Sequence, residues 1–162
     1  MKRILCVLLL ILAVVGGLLL CDRVTRRDDA ERKFGSFFSE KQDIDVFFMG
    51  TSHVLDGVTP MELWRDYGLT SYNMATSSET LGMTEQILKL SAQTHKPKLA
   101  VIDVYYIDKP DDLEWTYSYR HLFFDAVPLS FAKFDAVRAS LPQNEWLEFM
   151  MPFSLYHSRW EE

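Results

Sequence analysis

The apolar residues of this chain arrive in blocks, and the spacing inside each block predicts a different element. Ile44 to Met49 is a near-continuous apolar run, the pattern of a strand buried on both faces of a parallel sheet. It ends in Gly50-Thr51-Ser52-His53, a glycine turn that carries a serine. Thr59-Pro60-Met61-Glu62 then opens a helix, with Thr at the N-cap, Pro at the first helical position and Glu at the third. Gly68 closes it after Tyr67. Leu69 to Met74 predicts a short second strand that runs into Ala75-Thr76-Ser77-Ser78. From Glu79 to Thr94, the spacing of Leu81, Ile87, Leu88, Ser91 and Ala92 predicts a helix with one buried face, stopped before Pro97. Leu99 to Tyr105 is a third strand. Beyond it the pattern is looser: an acidic, turn-like stretch from Lys109 to Trp115, an aromatic-rich Tyr117 to Phe124, and helices over Leu129 to Leu141 and Asn144 to Met150.

The order β-α-β-α-β with short connections implies parallel strands and right-handed crossovers. Ligands of such sheets bind outside the carboxyl ends of the strands. Three loops are therefore expected to meet there: Gly50 to Asp56, Ala75 to Ser78, and the segment after Tyr105. A serine lifted to that edge by a strand-to-glycine turn is placed as a nucleophile; an ordinary Gly/Ser turn is the alternative.

Ahead of this unit, Ile4 to Leu20 carries no charge and follows Lys2 and Arg3, the pattern of a signal peptide or signal anchor. About 17 residues is the short end of what spans a bilayer core. No small-x-small cleavage site follows, and Leu18-Leu19-Leu20-Cys21 has Leu where a lipoprotein box has a small residue. An uncleaved single-pass anchor over residues 1–21 is thus the first expectation, a cleaved signal the second and a lipidated Cys21 the third. Arg23, Arg26 and Arg27 rival Lys2 and Arg3, so the positive-inside rule leaves the orientation open. Residues 22–43 are rich in Asp, Arg, Lys and Glu and read as a charged stalk. The compact domain is expected over residues 44–162, roughly 120 residues and enough for one core.

A formal net charge of −6, without a basic block beyond the juxtamembrane arginines, argues against nucleic acid as a partner. Both cysteines, Cys6 and Cys21, lie in or beside the apolar span, so the domain has no disulfide to draw on. Neither a metal-ligand spacing such as His-x-x-x-His or Cys-x-x-Cys nor a Gly-rich phosphate loop occurs, and no cofactor is expected.

Three segments together resemble the SGNH/GDSL hydrolase superfamily, in particular its membrane-anchored bacterial branch that serves cell-envelope polysaccharides. Gly50-Thr51-Ser52-His53 is similar to the first block, Gly-Asp-Ser-x, at the end of strand one. Tyr72-Asn73-Met74-Ala75-Thr76-Ser77-Ser78-Glu79-Thr80 resembles the second block, and Val101 to Tyr106 the strand leading into the third. The resemblance covers roughly residues 44–108. It implies a three-layer, flavodoxin-like parallel sheet and an extracytoplasmic domain. Ser52 would be the nucleophile toward an ester or acyl carbonyl. An oxyanion hole would come from its own N–H and one of the second loop, with Gly50, His53, Asn73 and Ser78 around oxyanion and substrate. The implied partners are a cell-envelope glycan or acyl donor and a membrane-bound acyltransferase.

The sequence departs from that pattern at defined places. Thr51 replaces the usual Asp, Ser78 stands where the second block has its glycine, Ile107 lies near the place of the third-block Asn, and Asp-x-x-His, the source of the family's general base, does not occur. A fold truncated at its carboxyl end, with an exposed sheet edge, is therefore expected. Four histidines could stand in. His95 precedes strand three and is expected as a solvated residue at the amino edge. His53 either binds substrate or caps the following turn, while His121 and His157 are expected as structural residues. Asp103, within strand three, is expected in a structural role, as a buried hydrogen-bonded acid or as a polar residue facing a helix end, and Asn73 as a residue steadying the oxyanion loop or satisfying backbone groups. Trp115, Tyr117, Tyr119, Phe123 and Phe124 form either a core or interface cluster or a carbohydrate-stacking platform. The function expected is an esterase or O-acyltransferase on envelope polysaccharide. The alternatives are a non-catalytic accessory protein that binds an envelope partner or glycan, and an inert fragment.

Overall fold

The computed structural model describes residues 2–25, 28–110 and 116–156. Three short strands, β1 (Val46–Met49), β2 (Ser71–Asn73) and β3 (Leu99–Ile102), form one parallel sheet in the order β2-β1-β3. The chain leaves the central strand to one side, returns across it and continues on the other. That reversal makes the carboxyl end of β1, beside β3, the topological switch point where α/β sheets hold ligands.

Local chemistry explains most boundaries. Before the sheet come α1 (Lys2–Thr25), α2 (Asp28–Ala30), a π-helical turn (Glu31–Gly35) and α3 (Ser36–Ser39). Between β1 and β2 lie α4 (Ser52–Gly57) and α5 (Pro60–Tyr67), the latter ended by Gly68 in the left-handed conformation that glycine tolerates. The long α6 (Leu81–Thr94) starts at Thr80, whose Oγ1 accepts from the Met83 N–H. After β3 come α7 (Tyr117–Phe124), α8 (Phe131–Ser140, capped by Ser130), a 3₁₀ turn, α9 (Trp146–Met150) and α10 (Phe153–Tyr156).

Phe47 and Met49, fully buried on one face of β1, belong to a single core with Met83, Ile87 and Leu90 of α6, Phe123 and Phe124 of α7, Val137 of α8 and Phe149 of α9. Residues 22–43, read as a charged stalk, contribute to that core too. Ala30, Phe34 and Phe37 are completely buried there, and Phe37 packs edge-on to Phe47 at 5.5 Å. Their spacing of four and three residues puts them on one face of the helical segment, while Asp28, Arg32 and Ser36 remain exposed. The packed residues thus begin well before Ile44.

Two other expectations change. His95 is buried rather than solvated: it lies at the amino edge as expected, but its Nε2 donates to Phe37 O at 3.1 Å under the Phe37 ring. β3 ends at Ile102 rather than Tyr105, because the Asp103 carboxylate turns back to accept the Tyr105 N–H at 2.9 Å. The exposed sheet edge that was expected lies at β3. Leu99 and Val101, which share a face with Val46 and Phe48, are 55% and 40% exposed, so β3 is an open edge among the described residues. The aromatic group Phe123 and Phe124 is core, and His121 is buried with them, stacked on Phe149 and paired with Asp125 at 2.9 Å. Trp115, His157, Arg26 and Arg27 lie outside the described residues.

Finally, α1 is long and apolar enough to cross a membrane, a property shared by anchors and by signal sequences.

Candidate functional site

At the carboxyl end of β1 the backbone turns sharply at Gly50, with φ of +136°. A Cβ at this position would sit 2.4 Å from the Cβ of Asp103, so only glycine allows the end of β1 and the turn after β3 to approach this closely. Thr51 follows as the N-cap of α4, its side-chain oxygen accepting from the His53 N–H. This short helix was not evident in the sequence, whose reading gave Gly50 to Asp56 as a loop. Ser52 is its first residue. The hydroxyl is exposed and takes no hydrogen bond among the described residues.

Three side chains of this corner form a hydrogen-bonded line. Thr51 Oγ1 donates to Asp103 Oδ2 at 2.6 Å and lies 3.0 Å from His53 Nδ1. Burial pulls the Asp103 carboxyl upward, but hydrogen bonds from the Thr51 hydroxyl and from the Tyr105 and Thr51 N–H groups outweigh it, and His53 adds to them. The group is held below the ordinary aspartate value. An ionised Asp103 takes the single Thr51 hydroxyl proton, so Thr51 Oγ1 can only accept from the imidazole. In the neutral imidazole the proton therefore sits on Nδ1, which leaves Nε2 as the acceptor. The imidazole is mostly exposed, 3.8 Å from Asp103 Oδ2, and its ring meets that of Tyr105 edge-on at 4.6 Å.

The second loop is tied to the first through Asn73 and Thr76. Asn73 Nδ2 donates to the carbonyls of Val54, Leu55 and Val58 at 2.9, 3.2 and 3.0 Å, closing the far end of α4. Its Oδ1 accepts the Ala75 N–H at 3.1 Å. Asn73 thus ties the two loops together by satisfying backbone groups of both. The Thr76 N–H donates to Gly50 O at 3.1 Å and to Glu79 Oε2 at 3.0 Å. Ser78, half-buried, has φ of +60°, the one positive φ among the described non-glycine residues.

Beneath this loop lie two titratable groups from distant segments. Glu79 is buried, and burial raises its carboxyl to about 8 against the opposing hydrogen bonds of Thr84 and Thr76 and the charge of Lys33. Lys33, from the π-helical turn, donates through Nζ to Ala75 O. Burial lowers its ammonium to about 8, with Glu79 and Asp56 pulling the other way.

The sequence pointed to Gly50, Ser52, His53, Asn73 and Ser78, and the structure brings Gly50, Ser52 and His53 to one corner, with Asn73 holding it to the loop that carries Ser78. Asp103 is hydrogen-bonded as expected, but it lies just past β3 and is half-buried rather than buried. That its partners are Thr51 and His53 was missed, although a lone acid at the carboxyl end of an apolar strand was the available signal. Ile107, near the place of the family's third-block Asn, is exposed and offers no donor side chain. No cluster of three or more His, Cys, Asp or Glu fit to hold a metal occurs among the described residues. No protein-family model, no curated protein and no solved structure matches this chain.

Proposed function

We propose that this chain is a membrane-anchored, SGNH-like esterase or O-acyltransferase acting on cell-envelope polysaccharide, with Ser52 as nucleophile. The observation that carries the reading is the position of Ser52. It is an exposed, unengaged hydroxyl at the first residue of a helix, on the carboxyl end of the central strand and at the switch point of a parallel sheet. Ser78 adds support, because its left-handed backbone is what a glycine in the second block would supply.

In this reading the Ser52 oxygen bonds to the acyl carbon, the proton it gives up is returned through His53 to the departing alcohol, and water or an acceptor hydroxyl then attacks the acyl-Ser52 ester and frees the serine. The Ser52 N–H, which has no hydrogen bond among the described residues at the start of α4, donates to the developing oxyanion. Asp103 and Thr51 hold the His53 imidazole in the Nδ1–H tautomer, and Nε2 accepts the proton of Ser52 through one water, or that of the acceptor hydroxyl directly. With the domain outside the cytoplasm, the acyl group would come from an envelope donor or a membrane-bound acyltransferase partner.

Hydrolysis of an O-acetylated envelope glycan by the chain in lipid nanodiscs tests this. Turnover that vanishes in Ser52→Ala and falls in His53→Gln is expected. Turnover unchanged by Ser52→Ala would overturn it.

One observation favours a second reading. The imidazole is engaged with Thr51 and not with Ser52, so nothing described activates the serine directly. The chain would then be a non-catalytic accessory protein that retains the site to bind a glycan or membrane partner. Glycan binding that survives Ser52→Ala, without turnover, is the result expected of it.

A further inference from the structure

Lys33 reaches the corner of Ser52 from outside the sheet, through a chain of hydrogen bonds that all run in one direction. The π-helical turn Glu31–Gly35 buries Phe34 and aims the half-buried Lys33 side chain at the second loop. The lysine's backbone is pinned there, because the Tyr72 hydroxyl of β2 donates to Lys33 O and lies 3.0 Å from Ser36 Oγ. Lys33 Nζ donates to Ala75 O. On the far side of that same peptide group, the Thr76 N–H donates to Gly50 O at 3.1 Å. The next peptide group repeats the step, with the Thr51 N–H donating to Asp103 Oδ2 at 3.4 Å. Three hydrogen bonds through two peptide groups thus lead from the ammonium to the carboxylate that also receives Thr51 Oγ1.

We propose that Lys33 is a positioning residue of this corner: its charge holds the second loop and, through the two aligned peptide groups, strengthens the bond that Asp103 receives from Thr51. The inference rests on the corner being the functional site, whether it catalyses or only binds. Both peptide dipoles point the same way, carbonyl oxygen toward the cation and N–H toward the anion. Charges at the two ends of a helix favour the same alignment for the same reason. Each bond in such a chain polarises the next, and a site partly withdrawn from water screens the effect less. Two other carboxylates act on the chain. Glu79 Oε2 shares the Thr76 N–H at 3.0 Å, and Glu79 and Asp56 both attract the Lys33 ammonium. They help keep the cation at the loop against the cost of its burial. Lys33 belongs to the helical segment that follows α1, so the placement of that segment is felt at Asp103.

Both N–H groups of the chain belong to threonines, so ¹⁵N-threonine labelling of the whole protein in nanodiscs reads the two links directly. Lys33→Met removes the charge at similar length. The amide proton of Thr76 and, to a smaller extent, that of Thr51 are expected to move upfield as their bonds weaken, while Thr59 and Thr94 hold. Lys33→Arg, which keeps the cation, is expected to leave all four at their wild-type positions. Asp103→Asn perturbs the chain from its other end and is expected to reverse the order, moving Thr51 most and Thr76 less. Thr51 unmoved in Lys33→Met, or Thr76 unmoved in Asp103→Asn, overturns the proposal. So does a Lys33→Arg variant that shifts like Lys33→Met, since geometry and not charge is then what Lys33 supplies. Thr59 and Thr94 moving along with the others in Lys33→Met means lost packing and also overturns it. If Lys33→Met does not fold, the Asp103→Asn arm decides alone. Fluorophosphonate labelling of Ser52 in the wild type judges the nucleophile separately, so that reading and this one can each fail without the other.

Discussion

Glu79→Gln has a predictable effect because the carboxyl it removes is almost completely buried under the second loop. Burial raises Glu79 from 4.5 to about 8, so the folded protein binds this proton more tightly than the unfolded chain does. A raised value in the folded state contributes stability that is complete below 4.5 and is lost as pH climbs toward 8. One proton of difference is worth about 1.4 kcal/mol per pH unit, so unfolding free energy should fall by roughly 2–3 kcal/mol between pH 5.5 and 7.5. For a chain of this size that is about 5–10 °C in Tm. Lys33 acts in another window. Its value is lowered from 10.5 to about 8, so its contribution returns only as pH rises above 8. Glutamine fits the same site. Its amide oxygen can accept the Thr76 N–H, and its NH₂ can donate to Thr84 Oγ1, whose proton turns to Thr80 O, 3.1 Å away. Thermal unfolding in nanodiscs at the two pH values, for the wild type and Glu79→Gln, is the assay. The expected result is a slope in the wild type that Glu79→Gln flattens. A wild type that is flat or gains stability over this range, or a variant that keeps the full slope, refutes the assignment of this proton to Glu79.

Gly50→Ala should cost about 3 kcal/mol or more, because a left-handed backbone is combined with a contact to the Asp103 Cβ that neither partner can relieve by a rotamer change; denaturant unfolding measures it. Ser78→Gly should stabilise by about 0.5–1 kcal/mol in the same assay, by relieving the backbone at φ +60°. Thr51→Val removes the hydroxyl that fixes the His53 tautomer. Ring ¹⁵N shifts should then move from an Nδ1–H pattern toward a mixture, whereas an unchanged pattern would mean that Thr51 does not hold the ring.

The strands and their order were legible because each is an apolar run bounded by turn residues, and Pro60 and Gly68 mark the two ends of α5. Strand lengths were overestimated where a side chain takes over a backbone partner, as Asp103 does for Tyr105. The helical segment before the sheet was obscured by its charges, although Ala30, Phe34 and Phe37 carried the spacing of a buried face. Six residues without apolar periodicity hid α4. At the site, Ser52 and the glycine turn could be placed from the chain alone. The line Asp103–Thr51–His53 could not, since it joins residues more than fifty positions apart through contacts that only the register of β1 against β3 creates.

The central claim is that Ser52 is an activated nucleophile, and covalent labelling addresses it most directly. A fluorophosphonate probe applied to the full chain in nanodiscs, with the adduct located by peptide mass spectrometry, should mark Ser52 and leave Ser52→Ala unmarked. Absence of an adduct at Ser52 in the folded protein would contradict the claim and leave the binding role as the better account of the site.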